Sequence, residues 1–346
     1  MRLATLRNGG RDGRLVVVSS DLSLCAPADT IAPTLQDALD RWAVAAPKLA
    51  ALQRRLDEGR SADARPFDPI QAMAPLPRAW QWLDASAYPS HGALMNKVLG
   101  IAPERSGAPL MYQGLSDRFY GPREDVPLPD EADGIDFEGE FGVITDAAPM
   151  GVTPEAALGL IRLVVQINDW SLRALAGPEM KTGFGWIQAK PACSMAPVAV
   201  TPDVLGEAWQ DGRPGLDLAV DWNGARFGLA NGAPMEFGFH ELIAYAARTR
   251  ALPAGTVIGS GTVSNANFRE VGSSCIAERR GIEIVDSGEA QTGFMRFCDR
   301  VRMEALGRDG QPVFGAIDQV VVASPHGPTS LAEPILACSS APPADR

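Results

Sequence analysis

Histidine is scarce in this chain. There are three in 346 residues, none in an HxH or HExxH pattern, which sets aside the common ligand sets of zinc enzymes. Five cysteines (Cys25, Cys193, Cys275, Cys298, Cys338) stand far apart with no CxxC pair. That pattern indicates neither a disulfide framework nor a zinc knuckle, and the expectation is reduced thiols in a cytoplasmic protein. Positive charge is also lacking: the formal net charge is −11 and no basic cluster stands out, which argues against nucleic acid as a partner. No apolar run approaches the roughly 18 residues a membrane helix needs, and residues 1–7 lack the apolar core of a secretory signal. The Gly259-Ser260-Gly261 run has neither GxGxxG nor GxxxxGK[ST] spacing, so it does not read as a nucleotide loop. With GxSxG absent, Ser260 and Ser264 are poor nucleophile candidates.

What remains is an ordinary globular composition, 46% hydrophobic and 21% charged, long enough for one large domain and a smaller one. Leu3–Leu6 and Leu15–Val18 flank a Gly-rich turn containing Asn8-Gly9-Gly10, a β-hairpin pattern. A helix should follow from Thr34, with Leu35, Leu39, Trp42 and Ala46 on one stripe. Pro47 should kink or restart it, and Leu49, Leu52 and Leu56 should carry it to Gly59. The polar stretch 59–77 reads as a linker, so we expect an N-terminal α/β domain over residues 1–76. A mostly β (α+β) catalytic domain over 77–335 and a frayed tail over 336–346 follow. Strands are expected at 137–145, 163–167, 216–222, 256–260, 300–305 and 319–323, and short helices after Thr153-Pro154 and over 239–248.

The informative segment is Asp136-Phe137-Glu138-Gly139-Glu140-Phe141. Residues two apart on a strand share a face, so Glu138 and Glu140 would stand roughly 7 Å apart on one side. Two such carboxylates repel unless a cation lies between them or the face is simply solvated. Asp169 closes the apolar strand 163–167. It either caps a turn or, if buried, needs a partner, because an unpaired buried carboxylate is costly. Together the three acids are an oxygen ligand set for a hard cation such as Mg²⁺, Mn²⁺ or Ca²⁺.

These residues resemble the fumarylacetoacetate hydrolase family over about residues 80–322. The signatures are the Glu138/Glu140 strand, Asn168-Asp169-Trp170-Ser171-Leu172-Arg173, and Lys190 at 21 residues past Asp169. The loop Gly259-Ser260-Gly261-Thr262-Val263-Ser264 and the segment Gly272-Ser273-Ser274-Cys275-Ile276-Ala277-Glu278 complete them. The resemblance implies the family's mixed β-roll catalytic fold. It also implies a divalent metal, Mg²⁺ first with Mn²⁺ or Ca²⁺ as alternatives, held by Asp84, Glu138, Glu140 and Asp169. His91, seven residues after Asp84, would be the water-activating base and Glu278 its orienting partner. Lys190 and Arg173 would offset the acids and bind substrate, as would Tyr112, Gly261 and Thr262. His240 and His326 read as structural.

What the resemblance implies about activity is hydrolysis of a carbon–carbon bond in a small 1,3-diketone acid, in a homodimer. Decarboxylation, isomerisation or hydration of a keto acid would use the same site, and a catalytically silent binding protein is the reading from another class. Ala174, Ala176 and Gly100 stand where fumarylacetoacetases carry an Asp, a Gln and an Arg toward the substrate. Lys181 or Arg118 could replace those contacts. Otherwise the distal end of the substrate should be uncharged or bulkier.

Overall fold

The computed structural model of the chain describes residues 1–100 and 107–325. The expected tail, His326 and Cys338 lie outside the described residues. The hairpin forms as the pattern dictates, Arg2–Leu6 pairing antiparallel with Arg14–Val18. Where one kinked helix was expected there are two, Leu35–Leu39 and Trp42–Asp57. Thr34 caps the first by accepting from Asp37 N at 3.1 Å, and the break falls at residues 40–41 rather than at Pro47. Pro47 lies early in the second helix, which runs on past it. Ala45, Leu49, Leu52 and Leu56 form that helix's buried face, packed against the strands Arg14–Val18 and Leu24–Pro27.

These N-terminal strands do not form a separate sheet. An eleven-stranded sheet runs Arg65–Pro66, Leu24–Pro27, Arg14–Val18, Arg2–Leu6, Val198–Val200, Ile161–Asn168, Gly139–Thr145, Thr256–Gly259, Gln81–Ala85, Met111–Gln113, with Ser194–Met195 pairing on Ile161–Asn168. The join is antiparallel, with Arg2 opposite Val200 and Ala4 opposite Val198. A second sheet of five strands runs Ala225–Asn231, Asp217–Trp222, Arg300–Leu306, Ile317–Ala323, Val126–Leu128. Phe141, Val143, Leu218, Val220 and Met303 fill one core between the sheets. Buried Gln166 ties them, donating to Met303 O at 3.0 Å and accepting from Ala305 N at 2.7 Å. The opposite face of the large sheet packs Leu163, Val165 and Ile167 with Leu35, Leu39 and Leu49 of the helices.

Three further expectations are corrected. The strand expected at 137–145 is interrupted. Ile135–Asp136 pairs with Ser171–Leu172, Glu138 makes an isolated bridge to Cys275, and the regular strand is Gly139–Thr145. Simple alternation therefore does not carry from Asp136 to Glu140. Three helices were not anticipated: Pro89–Leu99, Arg173–Met180 and Ile276–Ser287. Their apolar stripes are short, and the first and third hold candidate catalytic side chains. Cys25, Cys193 and Cys275 are free thiols, whereas Cys298 is disulfide-bonded, which departs from the expectation of reduced thiols throughout. No helix among the described residues is long and apolar enough to cross a membrane.

Candidate active site

Three strands of the large sheet, two of them separated by Thr256–Gly259, carry acids to one place. Asp84 lies on Gln81–Ala85, Glu140 on Gly139–Thr145, and Asp169 just beyond Ile161–Asn168. One carboxylate oxygen from each lies within 4.8 Å of the others, and all three residues are buried. The glycine loop makes room for this: Gly259 pairs with Asp84 across the strands, and a Cβ on it would come within 2.3 Å of Asp84 Oδ1. Gly261, at φ 76°, donates its N–H to Asp84 Oδ1 at 3.1 Å, and a Cβ there would lie 2.3 Å from Ala85 O. Thr262 follows in the same buried loop.

The three acids differ in what surrounds them. Asp169 accepts from Tyr112 Oη (2.7 Å), Lys190 Nζ (2.6 Å) and Cys193 Sγ (2.9 Å). Glu140 has no hydrogen-bond partner on either oxygen. Burial, then the charges of Asp84 and Asp169, push the Glu140 carboxyl well above the usual range. Burial and Asp169 do the same to Asp84. Asp169 is raised by burial in spite of Lys190.

Glu138 stands outside this trio. Its oxygens are taken by Lys190 Nζ at 2.6 Å and by Arg173 Nη2. Burial alone would raise it, but the two cations outweigh burial and hold it below its ordinary value. Arg173 also donates to Asp136 Oδ2 at 2.7 Å. Asp136 accepts the backbone N–H of Ile276 (2.7 Å) and Ala277 (2.9 Å), so it caps the helix Ile276–Ser287. A buried ionic chain thus links the acids to the element bearing Glu278.

Five buried carboxylates (Asp84, Asp136, Glu138, Glu140, Asp169) face two cations, Lys190 and Arg173. Unpaired buried charge is costly, and all the donors in the trio are hard oxygens. Glu140, with neither oxygen partnered, is the residue that most needs a cation. The trio fits a hard divalent metal.

His91 and Glu278 come from different helices, Pro89–Leu99 and Ile276–Ser287. Their nearest polar atoms, Nδ1 and Oε1, are 4.0 Å apart. Burial lowers the imidazole to about 4 and raises the Glu278 carboxyl to about 7. At neutral pH His91 is therefore an uncharged proton acceptor. Ser90 Oγ donates to Ser264 Oγ at 2.8 Å, and Ser264 in turn donates to Glu278 Oε1.

Sequence reasoning singled out neither the Cys193 contact to Asp169 nor the part of Ser264. It also missed Trp186, whose ring meets Tyr112 edge-on at 4.8 Å and lies 5.7 Å from Lys190 Nζ. Ser264 closes the glycine loop already singled out, whereas Cys193 and Trp186 belong to no motif and only their nearness to Lys190 could have flagged them. The departures have structural explanations. Gly100 is the left-handed C-cap of Pro89–Leu99 at φ 65°, Ala174 and Ala176 lie on the exposed or partly exposed side of Arg173–Met180, and Arg118 pairs with Glu124 at 3.5 Å. His240 sits in the first turn of Phe239–Ala246, away from this cluster.

Comparison with known proteins fits this geometry. The family described as "Fumarylacetoacetate (FAA) hydrolase C-terminal" matches residues 81–322. The chain belongs to the fumarylacetoacetate hydrolase family. The "Fumarylacetoacetase N-terminal domain 2" matches residues 1–78. A 2,4-didehydro-3-deoxy-L-rhamnonate hydrolase of Sphingomonas sp. (strain SKA58) is 30% identical over 157 residues, 44% of this chain and 52% of that protein. The chain thus spans about half the length of the curated relatives it matches. Maleylpyruvate hydrolase from Sphingobium sp. SYK-6 shares the fold with TM-score 0.63 at 17% identity, over 94% of this chain and 100% of that one. A 5-carboxymethyl-2-hydroxymuconate delta-isomerase from Mycobacterium smegmatis does so with TM-score 0.54 at 17% identity, over 94% and 99%. The fold therefore hosts both hydrolases and isomerases, and the reaction must be argued from the site.

Proposed function

We propose that the protein is a divalent-metal-dependent hydrolase that cleaves the carbon–carbon bond of an acylpyruvate-type 1,3-diketone acid. The observation that carries this is the buried trio Asp84, Glu140 and Asp169, with Glu140 unpartnered and a neutral imidazole and a second carboxyl nearby on separate helices. Glu138 is the fourth carboxylate of the set, shared with Lys190 and Arg173. A solved maleylpyruvate hydrolase holding manganese and pyruvate has the same fold, in keeping with a metal here. Mg²⁺ is the first choice, because every ligand is a hard oxygen.

The metal, when bound, supplies Lewis-acid polarisation of the diketone and steadies the negative charge left after cleavage. The chain's own residues do the rest. Lys190 and Arg173 bind the substrate's carboxylate end or its developing oxyanion. The Gly261–Thr262 backbone approaches the same end, and Tyr112 holds Asp169 from the other side. His91 takes a proton from water, and Glu278 orients the imidazole and stabilises its cation. That water attacks the distal carbonyl, the C–C bond breaks, and its electron pair leaves with the pyruvate fragment. Protonation of that fragment's carbon yields pyruvate and a carboxylate.

The distal end of the substrate should be an uncharged or bulkier group, since Ala174, Ala176 and Gly100 offer no side-chain donor to a carboxylate there. A distal carboxylate would lose about 1–3 kcal/mol for each missing hydrogen bond. The test compares kcat/KM on fumarylacetoacetate with that on acylpyruvates of rising tail length, with products identified in each case. Pyruvate plus the matching carboxylate supports the proposal. Carbon dioxide release or an isomerised acid without cleavage replaces it with the decarboxylase or isomerase reading.

A further inference from the structure

One ligand atom each from His91, Cys275 and Glu278 lies within 4.8 Å of the others, and His91 Nδ1 stands 4.0 Å from Glu278 Oε1. We propose that these three residues form a second metal site, selective for a borderline-soft dication of the Zn²⁺ class, whose occupation blocks the base. The reading of His91 as a base belongs to the preceding section; the binding itself does not depend on it.

The donor chemistry separates this site from the first. The carboxylate trio is all oxygen and suits a hard ion, whereas imidazole nitrogen with thiolate sulfur and one carboxylate is a zinc-type set with a fourth position open. His91 Nδ1 and Glu278 Oε2 are buried with no hydrogen-bond partner, whereas Glu278 Oε1, the oxygen facing His91, already accepts from Ser264, and the Glu278 side chain is fully buried. Cys275 Sγ caps the helix by accepting from Glu278 N at 3.3 Å, a bond that a metal-bound thiolate can still accept. Zinc ligands at about 2.0–2.3 Å from the ion would require the three groups to draw closer. His91, 16% exposed, and Glu278 approach from two different helices, so side-chain rotation can supply that movement. Binding exchanges the Cys275 thiol proton for the metal: Cys–SH and M²⁺ give Cys–S–M⁺ and H⁺. Burial holds the Cys275 thiol well above its ordinary value, so the metal must displace its proton. The nearby charges are mixed, with Asp136, Glu278 and Glu138 favouring a cation and Arg173 opposing it.

The test uses the full chain with Mg²⁺ at saturating concentration, titrated with Co²⁺ as the spectroscopic probe and Zn²⁺ as competitor. A cobalt–thiolate charge-transfer band, removed by equimolar Zn²⁺ and accompanied by proton release, is expected. Cys193 also lies near an acid, so it needs its own control. The band must survive Cys193→Ser and vanish in Cys275→Ser, where serine keeps the helix cap. Zn²⁺ affinity in Cys275→Ser should fall by more than the about 100-fold that loss of an outer-shell partner costs. No band, a band retained in Cys275→Ser, or a band lost in Cys193→Ser overturns the proposal. If the metal-supported hydrolysis is measurable, Zn²⁺ should inhibit it in the wild type and not in Cys275→Ser. If no hydrolysis is found while the band behaves as expected, the site stands and the hydrolase reading fails.

Discussion

Asp318 and Glu140 are both buried carboxylates on sheet strands, and their surroundings are opposite. Asp318 is met by Arg123, by Arg300 through two donors, and by Arg302 at 3.5 Å. Burial would raise its carboxyl, but the arginines outweigh burial and keep it below the usual range. Glu140 has no donor at all and three acids for neighbours, Asp84, Asp169 and Glu138. The first is a satisfied charge that ties strands of the smaller sheet together. The second is a charge whose cost the fold bears without a return in stability, the kind of imbalance found where a site must receive a cation.

The largest expected difference is in chemistry. Glu140→Gln should lose divalent-metal binding and several kcal/mol of transition-state stabilisation, on the order of 10³-fold or more in turnover. Asp318→Asn should leave metal affinity unchanged. Calorimetric metal titration and steady-state rates on an acylpyruvate would decide it, and a Glu140→Gln enzyme that binds metal normally removes the trio from the mechanism. His91→Ala should lower turnover by roughly 10²–10⁴-fold with metal affinity intact, so normal turnover in that variant would exclude His91 as the base.

Stability should run the other way. Asp318→Ala strands three arginines. Breaking a buried pair costs about 3–5 kcal/mol, and since these arginines are partly exposed, about 2 kcal/mol is expected by denaturant unfolding. In metal-free protein Glu140→Gln should instead leave stability equal or higher, because it removes like-charge repulsion.

The pH dependence separates the two carboxylates further. The folded-state value of Asp318 is depressed, so its contribution is present above the ordinary aspartate value of about 3.9 and is lost as pH falls through the lower folded value. The gap between wild type and Asp318→Asn should therefore close in acid. The folded value of Glu140 is raised, so ionising it costs stability progressively as pH rises above its ordinary value of about 4.3. The advantage of Glu140→Gln in chelator should accordingly widen with pH, and added Mg²⁺ should reverse it. Thermal unfolding across pH 3–8 tests both signs. The smallest effect is a control far from either carboxylate: Thr34→Ala removes a helix cap and should cost about 1 kcal/mol, with no change in metal binding.

Much of this was legible in the chain. Local pattern located the hairpin, five of the six expected strands, most of the sixth, and the helix starts at Thr34 and Thr153, because strand alternation and Thr caps are local physics. The acids, Lys190, His91 and Glu278 were legible through motif order. The interruption at residues 137–138 was not, because it depends on Ile135–Asp136 pairing with Ser171–Leu172 and on Glu138 meeting Cys275. Asp136 stands two residues before Glu138, yet its oxygens go to a helix 140 residues away. Sequence spacing could not foresee that contact.

By itself, then, the sequence determined which residue types were available: hard oxygen donors in quantity, few histidines, two cations near the acids in motif order. Side-chain chemistry and local backbone preference need no long-range contact. Only tertiary structure decided how those groups divide. It left Glu140 without a donor, gave Glu138 to Lys190 and Arg173, and brought Cys275 beside His91 and Glu278. That division depends on distances between segments far apart in the chain, and those are set by sheet register and helix packing.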